Sequence, residues 1–201
     1  MTTTIAILAG GQSSRMGTDK AMLDVDGEPL LARIAREAKE TSPQPSPWKG
    51  QGVKVLVVGR ETPTDWAVDG VEFVVDDEAG LGPIGGLAVA LSMTDGPVLM
   101  LACDMPRLTR RSIGWLVGEV ESWAPAWGLA VRNGGQIEPL FSVYQPTLIP
   151  MVDERIRHGR RSLYGLIEDA SFDFVDAPDD VRTELVNVNT VEEWERVKKH
   201  V

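Results

Sequence analysis

Short apolar runs that end in glycine or aspartate recur along this chain, and segments with helical patterns separate them. Ile5–Leu8 is followed by glycines, Val71–Val75 by two aspartates, and Val98–Ala102 by a cysteine and an aspartate. Runs of this kind, bounded by turn residues, indicate buried parallel strands. Their alternation with helical segments predicts one α/β domain over residues 1–201, with a mostly parallel sheet.

Some segments outside these runs carry more specific expectations. Glu138–Tyr144 has the composition of a strand, but Pro139 interrupts it and predicts a position at the sheet edge. Pro106–Val120 is predicted to form a turn and a helix, and Leu185–Val188 is predicted to be a short strand. Thr41–Gly52 contains three prolines, which exclude a helix interior or a central strand and predict an exposed, mobile connection over residues 41–52.

Charge and cysteine content narrow the range of functions. The formal net charge of −10 at pH 7 argues against affinity for nucleic acid or anionic membranes, because both need clustered Lys and Arg. Cys103 is the one cysteine, which excludes a disulfide framework or a multi-cysteine zinc site. The N-terminus lacks the basic start of a signal peptide, and no apolar run approaches the roughly 20 residues that span a bilayer. These observations predict a cytoplasmic protein.

A glycine-rich loop with basic residues follows the first predicted strand. Gly10 and Gly11 allow the backbone to approach a ligand closely and to direct N–H groups at it. Arg15 offers forked contacts to phosphate oxygens, and Lys20 adds a second positive charge. The spacing differs from that of a Walker A loop and of a dinucleotide-binding glycine motif. The loop predicts a nucleotide triphosphate site with these candidate residues: Leu8, Ala9, Gly10, Gly11, Ser13, Arg15 and Lys20.

Aspartates at the ends of two predicted strands are the candidates for holding a metal. Because parallel strands end at the same edge of a sheet, Asp104 is expected beside the glycine-rich loop. A nucleotide triphosphate is a polyanion, so chemistry on it depends on positioning and charge neutralisation, usually with Mg²⁺ held by carboxylates. Asp104 is therefore the predicted Mg²⁺ ligand and, with Arg15 and Lys20, a predicted catalytic residue. Asp77 is the second candidate, with Asp76 as the neighbouring alternative.

The run LAGGQSSRMGTDK resembles the signature of the molybdenum cofactor guanylyltransferases, the MobA family of the nucleotidyltransferase superfamily. The LGPIGG segment, which contains Gly82 and Pro83, and the CDMP segment around Asp104 resemble two further motifs of that family. The resemblance implies a Rossmann-like three-layer α/β/α domain of the nucleotide-diphospho-sugar transferase type. It also implies that Asp77, Gly82 and Pro83 contact the nucleotide.

The same resemblance implies a reaction and its partners. GMP would pass from GTP to the terminal phosphate of molybdopterin, with Mg²⁺ as cofactor and pyrophosphate as the second product. Asn187 and Asn189 of the NVNT segment are implied to bind the acceptor. Arg160 and Arg161 either hold the phosphate of molybdopterin or form an ordinary solvated helix start. Molybdoenzymes or their chaperones are the implied recipients of the product, and neither nucleic acid nor membrane is an expected partner.

Three other functions stay open. A related family transfers CMP to molybdopterin, and its loop reads LAAG where this chain has LAGG; the methyl missing at Gly10 is expected to favour the larger purine by about 1–3 kcal/mol. The second is a sugar-phosphate or polyol-phosphate nucleotidyltransferase, which the NVNT segment and the chain length disfavour. The third is a non-catalytic nucleotide-binding regulator, which would be expected to lack Lys20 or Asp104, and both are present.

Overall fold

The structure, a computed structural model, describes residues 2–10, 19–41, 53–75 and 80–198. Ten strands and seven α-helices lie in these ranges, and none of these helices is long and apolar enough to cross a membrane. The strands are β1 (Thr4–Leu8), β2 (Asp24–Val25), β3 (Glu28–Pro29), β4 (Lys54–Val58), β5 (Val71–Val74), β6 (Val98–Ala102), β7 (Gly128–Asn133), β8 (Gln136–Ile137), β9 (Phe141–Tyr144) and β10 (Asp173–Asp176). The helices are α1 (Leu30–Glu40), α2 (Pro83–Ser92), α3 (Arg110–Trp123), α4 (Ile149–Arg157), α5 (Leu163–Asp169), α6 (Asp179–Arg182) and α7 (Val191–Val197).

One eight-stranded sheet forms the centre of the domain, in the order β10-β7-β9-β6-β1-β4-β5, with β8 paired to β7. β1 runs parallel to β4 and β6, β4 to β5, and β7 to β10. β9 is antiparallel to both of its neighbours, and β8 is antiparallel to β7. The prediction of a mostly parallel sheet is therefore confirmed. Leu8 pairs with both Val58 and Ala102, so β1, β4 and β6 end together at one edge.

Helices cover both faces of the sheet, because successive side chains of a strand point to opposite faces. In β1, Ile5 and Ile7 pack into one core with α1, α3 and α7. Ala6 packs into a second core with α2, α4 and α5. α1 shows why such a helix docks: its apolar residues, Leu31 and Ile34 among them, form one buried stripe. The predicted three-layer α/β/α architecture is confirmed.

The prediction of an edge strand over residues 138–144 was wrong, because β9 lies between β6 and β7 in the middle of the sheet. Pro139 precedes the strand, in a turn where the Phe141 N–H donates to the Glu138 carbonyl at 3.0 Å. The proline therefore removes no hydrogen bond from the strand ladder. Phe141 and Tyr144 are fully buried, as expected for a strand whose two faces are both covered.

The segment Leu185–Val188, which was predicted to be a strand, lies outside the sheet and begins with turn hydrogen bonds from the Leu185 N–H to the Arg182 carbonyl and from the Val186 N–H to the Glu184 carbonyl. Its backbone bonds to loops instead. The Val188 N–H donates to the Asp104 carbonyl at 2.8 Å, and the Leu185 carbonyl accepts from the Asn133 side chain at 3.3 Å. Leu185 and Val188 are buried, so the apolar residues of the segment enter the core although no strand pairs with it.

Smaller differences concern the end of one helix and a hairpin. The predicted turn and helix over Pro106–Val120 correspond to a turn followed by α3, which begins at Arg110, where the Thr109 side chain caps it, and ends three residues later than predicted, at Trp123. The hairpin β2–β3 was not predicted, although Asp26-Gly27 in its turn is a favoured hairpin sequence. Most of the Pro-rich connection, residues 42–52, lies outside the described residues, so its expected mobility stays a prediction.

Candidate functional site

A cleft of about 820 Å³ opens at the edge where β1, β4 and β6 end. The turns after these strands and the start of α2 form its walls. In parallel α/β sheets this is the edge where ligands bind. Several of the predicted site residues line the cleft: Leu8, Ala9, Gly10, Lys20, Gly82, Pro83 and Asp104. Others lie outside the described residues and stay predictions: Gly11, Ser13, Arg15 and Asp77, with its alternative Asp76.

Gly10 and Gly59 bring the turns after β1 and β4 into direct backbone contact. A Cβ on Gly10 would lie 2.9 Å from both the Cα and the carbonyl oxygen of Gly59, and a Cβ on Gly59 would lie 2.7 Å from the Cα of Gly10. Gly59 also has a φ of +95°, which other residues rarely adopt. The backbone of Gly59 thus fills the space of the methyl missing at Gly10. The expected steric preference for a purine at Gly10 stays a prediction.

We expect Gly59→Ala to lower the free energy of unfolding by about 2 kcal/mol or more, because it combines a backbone clash with an unfavourable φ. Gly118→Ala is the matched control. Gly118 lies on the exposed side of α3 with no atom within 4 Å of an added Cβ, so alanine there should raise the free energy of unfolding by about 0.5–1 kcal/mol. Urea denaturation of both variants measures the difference. Equal unfolding free energies would contradict the close contact.

The start of α2 supplies another wall of the cleft. Gly82, the residue before the helix, has a φ of +67°, and Pro83 lies in the first turn. Both are typical of this position, since glycine tolerates the positive φ and proline has no N–H to leave unpaired. The positive end of the helix dipole at this point suits a negatively charged ligand group.

The two arginines that were considered for the acceptor phosphate have different surroundings. Arg161 donates from Nη1 to the Gly80 carbonyl at 2.7 Å, and Gly80 lines the cleft. Arg160 forms ion pairs with Asp169 at 3.3 Å and with Glu154 at 3.6 Å. The structure therefore brings Arg161 to the rim of the cleft, whereas Arg160 links α5 to α4.

Asp104 lies in the turn after β6, and most of its carboxylate is buried. Its Oδ1 atom has no hydrogen-bond partner among the described residues. Burial raises the pKa of Asp104, and the positive charge of Lys20 opposes that shift. A buried carboxylate oxygen without a partner destabilises the fold unless a cation or a donor reaches it.

These features fit a divalent cation held by Asp104. No group of three or more His, Cys, Asp and Glu side chains that could hold a metal occurs within the described ranges. Mg²⁺ needs fewer protein ligands, because one or two carboxylates suffice when waters and substrate phosphates fill its other positions. The unpartnered Oδ1 of Asp104 meets that requirement, provided that a nucleotide completes the site.

Lys20 connects the first loop to the C-terminal part of the chain. Its Nζ donates to the Val188 carbonyl at 2.9 Å and to Oδ1 of Asn189 at 2.9 Å. Val188 in turn donates its N–H to the Asp104 carbonyl at 2.8 Å. Lys20, Asp104 and Asn189, all predicted site residues, thus belong to one hydrogen-bonded network beside the cleft. Asn187 is exposed two positions before Asn189 on the same extended segment.

A capping box at the start of α7 holds Asn189 in place. The Glu193 carboxylate accepts the N–H groups of Asn189 at 2.6 Å and of Thr190 at 3.1 Å. The Thr190 hydroxyl accepts the Glu193 N–H at 3.2 Å, which completes the box. These backbone hydrogen bonds, the one from Asn189 first, lower the pKa of Glu193.

The lowered pKa of Glu193 makes part of the stability depend on pH. Because the folded-state pKa lies below the unfolded-state value, the carboxylate stabilises the fold above about pH 4.3, and this contribution is lost as the pH falls through the folded-state pKa. We expect Glu193→Gln to lose less unfolding free energy than the unmodified protein when the pH is lowered from about 6 to about 3. Urea denaturation across this range measures the loss, with Glu192→Gln as the control. The same pH dependence in all three proteins would contradict this role of the capping box.

Some residues that line the cleft were not predicted from the sequence. Asp19, Gly59, Cys103 and Leu140 also line it. A glycine directly after a strand was the available signal for Gly59, whereas the positions of Asp19 and Leu140 depend on how distant segments pack. Burial raises the pKa of Cys103 to about 12, so its thiol stays protonated and is a poor nucleophile.

Comparisons with known proteins agree with this geometry. The family model described as a MobA-like NTP transferase domain matches residues 5–172. A probable molybdenum cofactor guanylyltransferase of Synechococcus elongatus is 32% identical over 96% of this chain and 96% of its own, and one of Opitutus terrae is 29% identical over 96% and 94%. The crystal structure of molybdopterin-guanine dinucleotide biosynthesis protein A of Archaeoglobus fulgidus matches with a TM-score of 0.73 at 22% identity, over 98% of this chain and 97% of that chain. At that identity the match shows a shared fold.

Proposed function

The chain belongs to the MobA-like NTP transferase family, and we propose that it is a molybdenum cofactor guanylyltransferase. In the proposed reaction, GMP passes from GTP to the terminal phosphate of molybdopterin, and pyrophosphate leaves. One observation carries the proposal: Asp104 and Lys20 meet at one cleft in a chain that resembles proteins of that name over nearly its full length.

The proposed nucleotide site follows the turns after β1 and β4. Gly10 and Gly59 present backbone rather than side chains at this wall, which allows a ligand to approach closely. Gly82 and Pro83 would bring the positive end of α2 to the nucleotide. Leu8 and Ala9 also line this part of the cleft. Contacts from four other predicted residues rest on the sequence alone and complete the proposed site: Gly11, Ser13, Arg15 and Asp77.

In the proposed step, an oxygen of the acceptor phosphate attacks the α-phosphorus of GTP. The bond from that phosphorus to the oxygen that bridges to the β-phosphorus breaks, and pyrophosphate leaves with the electron pair. Lys20 can balance the negative charge on the phosphate oxygens. The Val188 carbonyl and Oδ1 of Asn189 accept hydrogen bonds from the ammonium group and help to hold it in place. The step needs no covalent intermediate with the protein.

Asp104 is the proposed ligand of Mg²⁺. When bound, Mg²⁺ would neutralise phosphate charge and act as a Lewis acid on the transferred group. The contribution of the chain itself is an unpartnered Oδ1 in a turn that Val188 holds through the Asp104 carbonyl. A carboxylate held in this way needs little reorganisation to receive a cation.

On the acceptor side, Asn189, Asn187 and Arg161 are the proposed binding residues. Asn189 is fixed by Glu193, and Arg161 lies at the rim beside Gly80, so both can present polar groups to a bound phosphate. Transfer of the product to molybdoenzymes or their chaperones, and a cytoplasmic location, stay predictions.

Turnover assays on the purified protein test the proposed function. With GTP, Mg²⁺ and molybdopterin we expect release of pyrophosphate and formation of the guanine dinucleotide, detected by mass spectrometry. CTP should react at least about 10-fold more slowly. Equal turnover of CTP would contradict the guanine specificity, and transfer to a sugar phosphate but not to molybdopterin would contradict the acceptor. GTP binding without release of pyrophosphate would indicate a regulator instead of an enzyme.

A further inference from the structure

Arg60 forms an ion pair inside the wall of the cleft. It follows Gly59 directly, and its Nη2 lies 3.0 Å from Oδ2 of Asp19. The Arg60 side chain is 21% exposed, whereas that of Asp19 is 50% exposed. The Nε and Nη1 atoms of Arg60 are buried and have no hydrogen-bond partner among the described residues.

Asp19 connects Arg60 to the segment that carries Lys20. Its Oδ1 accepts the Ala21 N–H at 3.1 Å and thereby caps the single helical turn of residues 20–22, which begins with Lys20. Both carboxylate oxygens of Asp19 are therefore engaged, one by the turn and one by Arg60. Because Arg60 is anchored next to the Gly10–Gly59 contact, it ties the turn that carries Lys20 to the rigid edge of the sheet.

The ion pair also lies close to the turn that carries Asp104. Asp19 lines the same cleft as Asp104, and so does Gly59, the residue before Arg60.

Stability alone does not explain this arrangement. Within the part of the chain that the structure describes, the buried Nε and Nη1 atoms of Arg60 meet no acceptor, and a buried donor without an acceptor destabilises a folded protein. The ion pair offsets little of that effect, because Asp19 is half exposed and hydrated. Replacement of both partners of such a pair by apolar side chains is often neutral or stabilising. A charged pair in contact with the turn that carries Lys20 therefore points to a role in the reaction.

We propose that Arg60 is a positioning residue, which orients Lys20 through Asp19 for its contact with the phosphates. Its effect on turnover rests on the proposed function, whereas its effect on the placement of Lys20 does not. Arg60→Met and Asp19→Asn break the ion pair from either side. Asparagine keeps an oxygen that can accept the Ala21 N–H, so Asp19→Asn leaves the cap of the turn intact.

Chemical labelling tests the placement of Lys20 without any substrate. In the unmodified protein, the Lys20 amine donates to Val188 and Asn189, which slows its reaction with acetic anhydride. We expect both variants to raise the labelling rate of Lys20 severalfold, measured by mass spectrometry relative to Lys54 in the same sample. An unchanged ratio in both variants would overturn the proposal.

Kinetics test the consequence for the reaction. We expect each variant to lower kcat by about 10–100-fold with little change in the Kd of GTP, because a displaced charged group lowers the rate more than the affinity. The double variant should be no slower than the slower single variant, since both changes break the same link. Arg110→Met, which removes an exposed ion pair with Glu40, is the control and should leave kcat unchanged.

The outcomes separate the two proposals. Lack of GTP turnover by the unmodified protein would count against the proposed function, and Lys20 labelling would still decide the role of Arg60. A loss of kcat in the double variant equal to the product of the two single losses would overturn the link through Asp19. A lower thermal midpoint of Arg60→Met together with unchanged Lys20 labelling would indicate a structural role alone and overturn the proposal.

Discussion

Asp104→Asn is expected to lower turnover by about 10³-fold or more while the protein stays folded. Asparagine keeps the size of the side chain but removes the charge that would hold Mg²⁺. The folded state should tolerate this change well. Burial raises the folded-state pKa of Asp104 above its unfolded value, so its favourable contribution is present below the unfolded pKa and is lost as the pH rises through the folded pKa. At neutral pH a neutral side chain should therefore be at least as stable.

Two measurements separate catalysis from folding at Asp104. Pyrophosphate release in the presence of GTP, Mg²⁺ and molybdopterin gives the loss of turnover, and the thermal midpoint gives the change in stability. Asp95→Asn is the matched control, because Asp95 is exposed near the other end of β6, away from the cleft. Turnover of Asp104→Asn close to that of the unmodified protein would show that Asp104 does not hold the reacting phosphates through a metal.

Lys20→Met should have the second largest effect, a loss of turnover of about 10²–10³-fold. The substitution removes the charge that is proposed to face the phosphates and also the hydrogen bonds to Val188 and Asn189. Asn189→Ala removes one of those bonds and keeps the charge, so its loss should be smaller. The order of the two effects therefore distinguishes charge balance from anchoring of the C-terminal segment.

The kcat of each variant and its Kd for GTP measure these effects. Lys54→Met is the control, because Lys54 pairs with Glu72 at 2.9 Å at the start of β4, the end of the strand that lies away from the cleft. We expect the control to retain its turnover, since such surface pairs contribute about 0–1 kcal/mol to stability. An Asn189→Ala variant slower than Lys20→Met would mean that anchoring, not charge, is the main role of Lys20.

The general architecture could be predicted because it depends on local patterns. Apolar runs such as Val98–Ala102 are buried on both faces, and a run of that kind needs helices on each side. The position of β9 could not be predicted in the same way. A proline indicates an edge strand only when it lies within the strand. Pro139 lies before β9, in the turn that the Phe141 N–H closes with the Glu138 carbonyl, and the composition of the segment does not show where that turn ends. The strand predicted over Leu185–Val188 was wrong because this apolar segment bonds to turns and to the Asp104 carbonyl instead of to a strand, and its composition does not show that difference.

The sequence by itself determined which edge of the sheet carries the chemistry, because parallel strands end on one side and glycines and aspartates follow them. It also identified Lys20 and Asp104 as candidate site residues at that edge. Only the tertiary structure decided which groups meet. The contact of Lys20 with Val188 joins residues 168 positions apart, and it depends on how the last segment packs against the turn after β6. The backbone contact of Gly10 with Gly59 and the link from Arg60 through Asp19 are likewise products of packing. No local pattern encodes such distances, because they are set by the whole set of contacts that the sheet and helices make.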